Sequence, residues 1–115
     1  MILRIDKFIR SQNEFTGRHW KKKHQDTKEW EWSIRAATSR PLPIAAGKMK
    51  VKITSMRRYL LDVGNLIGGA KGLIDALVRL GVIKDDSPKW AHITYEQKKC
   101  YPNAAQTIIE VQKYD

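Results

Sequence analysis

A stripe of apolar side chains near the middle of the chain constrains its fold more than any other feature of the sequence. Apolar residues recur there at steps of three and four, at Leu66, Ala70, Leu73, Leu77 and Leu80. That spacing is typical of one face of an α-helix, and Gly81 follows at the position of a C-terminal helix cap. We therefore expect an amphipathic helix over residues 66–80, which needs a second layer to cover its apolar face.

The rest of the chain predicts that second layer. Alternating or β-branched patterns predict four strands, over residues 1–8, 48–54, 93–95 and 107–111. A helix rich in lysine, glutamate and tryptophan is expected over residues 19–37, and Pro41 lies just beyond it, where a helix cannot continue. The order β-α-β-α-β-β predicts an α+β fold, with a small mixed β-sheet packed against two main helices. A chain of 115 residues is expected to form a single domain, over residues 1–115.

The charge of the chain favours a polyanionic partner. The formal net charge is +10 and the pI is near 9.9, and such a surplus attracts phosphates. We expect DNA contacts from Lys21, Lys22, Lys48, Lys50, Lys52, Arg57 and Arg58, and a merely solvated basic face is the alternative. No apolar run approaches the roughly 20 residues that span a bilayer, and Cys100 is the only cysteine. A soluble protein of the cytoplasm without a membrane partner is therefore expected.

Acidic residues lie at both ends of the predicted helix, with Asp62 before it and Asp85 and Asp86 after it. Carboxylates can hold Mg²⁺, which neutralises phosphate and activates water in phosphodiester hydrolysis. Lys71 is a candidate to stabilise charge on the phosphate, and Asp75 either pairs with a neighbouring cation or orients Lys71. A straight helix would separate its two ends by about 20 Å. A shared metal site therefore requires folded-back flanking segments or a second subunit; otherwise the Asp-Asp pair is a solvated turn.

These residues form an ordered motif. The chain has Asp62-Val63-Gly64-Asn65-Leu66, then Lys71, then Asp75-Ala76-Leu77, then Gly81 and finally Asp85-Asp86. This order resembles the RusA family of Holliday junction resolvases, especially its phage-borne members. The family pattern is Asp-x-Asp-Asn-Leu, a lysine a few residues later, Asp-Ala-Leu, a glycine and an Asp-Asp pair. The run of spacings is far more specific than any one of its parts.

The resemblance implies a function and assigns roles to residues. By position, Asp62 and Asp86 become metal-binding and catalytic carboxylates, Asp85 a further ligand, Lys71 the catalytic lysine and Asn65 a DNA contact. The family implies Mg²⁺, or Mn²⁺ in its place, and a homodimer that makes paired nicks in four-way DNA junctions during recombination and repair. A symmetric dimer supplies two active sites for two symmetric cuts. The implied location is the cytoplasm of a bacterial or phage-infected cell.

The chain departs from the family pattern at Gly64, where the second aspartate of the motif is expected. Glycine brings neither a ligand nor a charge. Three interpretations stay open: other ligands complete a weaker metal site, the protein binds junctions without cutting them, or the position was altered secondarily.

Two further groups of residues have alternative interpretations. Trp20, Trp30 and Trp32 are expected to be mainly core residues, and stacking on unpaired bases is the alternative. Gly68 and Gly69 weaken a helix, so they indicate either a close approach of DNA or a partner subunit, or an irregular turn with the true helix beginning near Ala70.

Overall fold

A computed structural model describes residues 1–12 and 20–115, with residues 20–23 described at the level of the backbone. Within these ranges the strands are β1 (Ile2–Ile5), β2 (Met49–Arg57), β3 (Ala91–Lys99) and β4 (Gln106–Lys113). The helices are α1 (Trp20–Ala36), α2 (Val63–Gly69) and α3 (Lys71–Arg79). A mixed sheet packed with helices confirms the predicted α+β fold.

The sheet has the strand order β1-β4-β2-β3. Strand β4 is antiparallel to both of its neighbours, whereas β2 and β3 are parallel and are joined through α2 and α3. Val51 on β2 pairs with Ile93 on one side and Val111 on the other, and all three point to the same face of the sheet. The predicted alternation of β2 is confirmed, because Val51 and Ile53 are buried while Lys50 and Lys52 are exposed.

Helices α1 and α3 cover one face of the sheet and close the core. Trp30 and Ile34 of α1 and Leu73 and Leu77 of α3 are fully buried against it. Burial of each such side chain stabilises the fold by about 1.5–3 kcal/mol. In the part of the chain that the structure describes, no helix combines the length and apolar character needed to cross a membrane.

The single helix expected over residues 66–80 is wrong in one respect: it is two helices that meet at Ala70. The break lies where the N-terminal segment of the chain approaches. A Cβ atom at Gly69 would collide with the backbone carbonyl of Arg10, and one at Gly68 would collide with the side chain of Gln12. Gly69 therefore makes room for the backbone of the N-terminal segment, and Gly68 makes room for the Gln12 side chain. The interpretation of an irregular turn before a helix that begins near Ala70 is confirmed.

Candidate active site

Lys71, the first residue of α3, joins two carboxylates. Its Nζ donates a hydrogen bond of 2.8 Å to Oδ2 of Asp86 and lies 3.0 Å from Oδ1 of Asp75. Asp75 is one helical turn further along α3, so the two side chains share a face of the helix. Asp86 reaches the same point from the loop that follows α3 and turns at Gly81, whose φ is +79°. We call Lys71, Asp75 and Asp86 the Lys71 cluster.

The contacts within the Lys71 cluster favour the charged forms of Lys71 and Asp86. The hydrogen bond from Lys71 lowers the pKa of Asp86, and the hydrogen bonds to Asp86 and Asp75 raise the pKa of Lys71. Lys71 is therefore held as an ammonium ion. Such a group can neutralise charge on a phosphate, but it is poorly suited to remove a proton from water.

A cleft of about 780 Å³ lies between α1, α3 and the loop after α3. Its α3 wall carries Lys71, Asp75 and Arg79, and the loop adds Asp85 and Asp86. The opposite wall includes His24, Asp26 and Thr27 of α1. The structure thus brings together three of the sequence-derived site residues, which are Lys71, Asp85 and Asp86.

Asp62, which the motif groups with Lys71 and Asp86, is not among the residues that line this cleft. It is the N-cap of α2: its Oδ1 accepts a hydrogen bond of 2.8 Å from the backbone N–H of Asn65, and its Oδ2 accepts one of 2.9 Å from the Asn65 side-chain amide. Such a cap typically stabilises a helix by about 1 kcal/mol. Asp62 does not line the α1–α3 cleft, and the Asn65 amide is occupied by Asp62.

The edge strand β3 lies beside both the Lys71 cluster and the segment that contains Asp62. Tyr95 is half-buried, and burial raises its pKa while the charge of Lys71 lowers it and that of Asp86 raises it. Gln97 holds the backbone of Leu61, since its Oε1 accepts from the Leu61 N–H at 2.9 Å and its Nε2 donates to the Leu61 carbonyl at 2.8 Å. Residues two apart on a strand share a face and lie about 7 Å apart. One stretch of β3 therefore lies beside both the Lys71 cluster and the residue that precedes Asp62.

The sequence interpretation missed Tyr95 and Gln97, because the expected strand ended at Tyr95, whereas the observed strand β3 continues to Lys99 and includes both residues. The sequence predicts that Asp75 pairs with a neighbouring cation or orients Lys71. The 3.0 Å contact between the two side chains shows that Asp75 pairs with Lys71. Arg79 pairs instead with Glu31 of α1, at 2.7 Å.

Asp26 is a buried carboxylate that the sequence interpretation did not single out. Its side chain contacts α3 where the backbone of Gly72 leaves room, because a Cβ atom at position 72 would collide with Asp26 Oδ2. Burial raises the pKa of Asp26, and the nearby charge of Lys7, 3.8 Å away, lowers it in part. A glycine inside a predicted helix was the one signal of this close contact.

Metal ligation by Asp62, Asp85 and Asp86 stays a prediction. Among residues 1–12 and 24–115, no three His, Cys, Asp or Glu side chains are grouped so that they could hold a metal ion. The cleft includes the carboxylates of Asp85 and Asp86, whose oxygens are the kind of ligand that Mg²⁺ prefers. Because Mg²⁺ usually keeps several waters and takes one or two protein carboxylates, Asp85 and Asp86 are a chemically suitable pair.

The basic residues that are expected to contact DNA differ in how far they are engaged by other residues of the chain. Lys50 is exposed, Lys52 pairs with Glu96 at 3.0 Å, and Lys48 lies 4.1 Å from the centre of the Tyr114 ring.

Arg57 donates a hydrogen bond of 2.8 Å to the carbonyl of Ile9, so it connects the N-terminal segment to the sheet. Arg58 is exposed beside Tyr59. The side chains of Lys21, Lys22 and Trp20 lie outside the described part of the structure.

Comparison with known proteins found no match: no protein-family model, curated protein or solved structure matches this chain. The arrangement of the Lys71 cluster and the motif that contains it are therefore the two features of the chain that bear on its function.

Proposed function

We propose that this protein is a Holliday junction resolvase, a magnesium-dependent endonuclease that works as a homodimer and makes paired nicks in four-way DNA junctions. The observation that supports it most is the contact between Lys71 and Asp86 in the α1–α3 cleft. These two residues come from separate elements, and the resemblance assigns both of them to catalysis. The net charge of +10 supports a phosphate-rich ligand.

The proposed chemistry divides the work between the lysine and the carboxylates. Asp86 and Asp85 would hold Mg²⁺, which supplies an activated water and neutralises phosphate charge. Lys71 would exchange Asp86 for a phosphate oxygen and stabilise the negative charge that develops on it. Asp62 would have to exchange its hydrogen bonds with Asn65 before it could add a further ligand.

A second candidate function is supported by the surroundings of Gly64. The motif position that should carry a carboxylate has none, and both oxygens of Asp62 are bound by Asn65. The alternative is thus a protein that binds branched DNA without cutting it.

One experiment separates these functions. The purified protein is incubated with a labelled synthetic four-way junction, with Mg²⁺ and then with Mn²⁺, and both binding and strand cleavage are measured. The resolvase function predicts two symmetric nicks that disappear in Asp86→Asn but not in the control Asp115→Asn. Tight binding without cleavage supports the second function. Absence of junction binding at low salt excludes both.

A further inference from the structure

The outward face of α1 carries an unusual exposed tryptophan. Trp30 is only 1% exposed and belongs to the core, whereas Trp32 is 76% exposed. In the described part of the chain, the Trp32 ring makes no aromatic or cation contact, in contrast to Trp30, which lies under Lys7, and Trp90, which contacts two lysines. The expectation that these tryptophans are core residues is thus confirmed for Trp30 and wrong for Trp32.

Cations lie on both sides of this ring. Lys28 precedes Trp32 by four residues and Arg35 follows it by three, so the three side chains follow one another along one face of α1. All three are exposed. We call Lys28, Trp32 and Arg35 the α1 stripe.

The acidic residues of α1 are Asp26, Glu29 and Glu31, and none of them forms an ion pair with the stripe; Asp26 is buried near Lys7. Glu29 pairs with Lys7 at 3.0 Å, and Glu31 pairs with Arg79 at 2.7 Å. Both carboxylates are thereby directed to other elements. Lys28 and Arg35 have no ion pair within the described residues. Among the residues that the structure describes, the stripe therefore presents an exposed aromatic ring between two cations that have no ion-pair partner.

These features fit an unpaired nucleobase better than an apolar protein surface. A protein interface buries a contiguous apolar patch, but the neighbours of Trp32 one turn away are Lys28, Glu29, Arg35 and Ala36. Stacking on a base needs one ring, and the phosphates on either side of that base need cations. The charge and the isolation of the ring both favour single-stranded nucleic acid.

We propose that the α1 stripe binds single-stranded DNA, with one unpaired base stacked on Trp32 and its flanking phosphates held by Lys28 and Arg35. This rests on the proposed function in taking DNA as the ligand, and adds a separate contact for strands that are not paired. His24, which lines the cleft, precedes Trp32 by eight residues, so the ring lies about 12 Å along the helix from that wall. A strand that leaves the cleft along α1 would reach the stripe within a few nucleotides.

The test measures binding by fluorescence anisotropy without metal, so that cleavage plays no part. The probes are a labelled oligothymidine of 12 nucleotides and a blunt duplex of the same length. Trp32→Ala is expected to weaken single-strand binding about 5- to 100-fold, because each stacked base contributes about that factor. Duplex binding is expected to change less than about twofold. Trp32→Phe is expected to restore most of the single-strand affinity, because phenylalanine also stacks.

The matched control is Tyr101→Ala. Tyr101 is 82% exposed and precedes the short turn before β4, so its loss should leave both affinities unchanged. The salt dependence supplies a second readout: Arg35→Gln should reduce the slope for single strands by about 0.7, whereas Trp32→Ala should leave the slope unchanged.

Three results would overturn the proposal. These are wild-type protein that does not bind the single strand, equal losses on the single strand and the duplex in Trp32→Ala, and a change of oligomeric state in Trp32→Ala by light scattering. The last would assign the ring to a contact between copies of the chain. Junction cleavage is measured separately, so failure here leaves the resolvase proposal to its own assay.

Discussion

Lys71 donates a hydrogen bond of 2.8 Å to Asp86 across 15 positions of the sequence. The contact fastens the loop after α3 to the beginning of the same helix, where α2 and α3 meet. It also presents an ammonium ion and a carboxylate together in a cleft, with Asp85 in the same wall. Both side chains remain substantially exposed, so screening by water keeps the pair's contribution to stability below about 1 kcal/mol.

Under the resolvase function proposed above, replacing either member of this pair should affect activity far more than folding. Lys71→Gln is then expected to lower the rate of junction cleavage about 100-fold or more, because it removes the cation that is proposed to stabilise charge on the phosphate. The urea midpoint of unfolding should shift by an amount equivalent to less than about 1 kcal/mol. The measurements are single-turnover cleavage and urea denaturation, with the exposed Lys113→Gln as the control. A large loss of stability with unchanged cleavage would make Lys71 a structural residue.

Gly64→Asp should strengthen the metal-dependent reaction. A Cβ atom at this position would lie 3.7 Å from Asp62 Oδ1, an ordinary contact, so the backbone can accept the side chain. The new carboxylate would supply the ligand that the motif lacks at the beginning of α2. Cleavage should rise, and the Mg²⁺ concentration for half-maximal rate should fall, both followed by titration of the metal.

The matched control for that change is Gly64→Asn, which has the same shape without the charge. It should leave cleavage and its metal dependence at the level of the wild type. Equal gains from both substitutions would mean that helix stability, not metal binding, limits the reaction.

The regular parts of the fold could be predicted because burial has a period. Val51 and Ile53 alternate with lysines on β2, and Leu73 and Leu77 recur at the spacing of a helix. These patterns record which side of each element faces the core, so the element order and the two layers follow from them. The motif likewise placed Lys71 and Asp86 in one site.

The helix break at Ala70 and the burial of Asp26 could not be predicted, because they involve contacts between segments that are distant along the chain. The break at Ala70 lies beside the place where Arg10 approaches Gly69, and the buried Asp26 side chain lies against Gly72. No local pattern encodes which segment will approach a glycine. Similarly, Asp62 can bind either a metal or the end of a helix, and only the position of Asn65 shows that it caps α2 here.

Gly69→Ala should destabilise the fold through this close approach. The added methyl group would collide with the Arg10 carbonyl, which is backbone and cannot rotate away. Overpacking of this kind costs about 1–3 kcal/mol or more, and thermal unfolding measures it. Gly47→Ala is the control, because nothing lies within 4 Å of a Cβ atom there. A Tm for Gly69→Ala equal to that of the control would contradict the packing of residues 10–12 on α2.

The buried carboxylate of Asp26 should make stability depend on pH in the direction opposite to that of an ordinary ion-paired aspartate. Burial raises its pKa above the model-peptide value of 3.8. The unfolded chain therefore loses this proton at a lower pH than the folded one, and the contribution of Asp26 to stability is full below about pH 3.8 and is lost as the pH rises through the folded pKa. Asp86, whose pKa is lowered, has the reverse effect: its contribution is present above pH 3.8 and is lost on acidification.

Asp26→Asn isolates the first effect, because asparagine keeps the shape of the side chain and cannot ionise. The free energy of unfolding of this variant, measured by urea denaturation from pH 3.5 to 7, should rise relative to that of the wild type as the pH increases. Asp6→Asn, at an exposed position, should give a smaller change. A difference between Asp26→Asn and wild type that is constant with pH would mean that the charge of Lys7 fully offsets burial at Asp26, and a difference that falls as the pH rises would mean that it outweighs burial; either result contradicts this prediction.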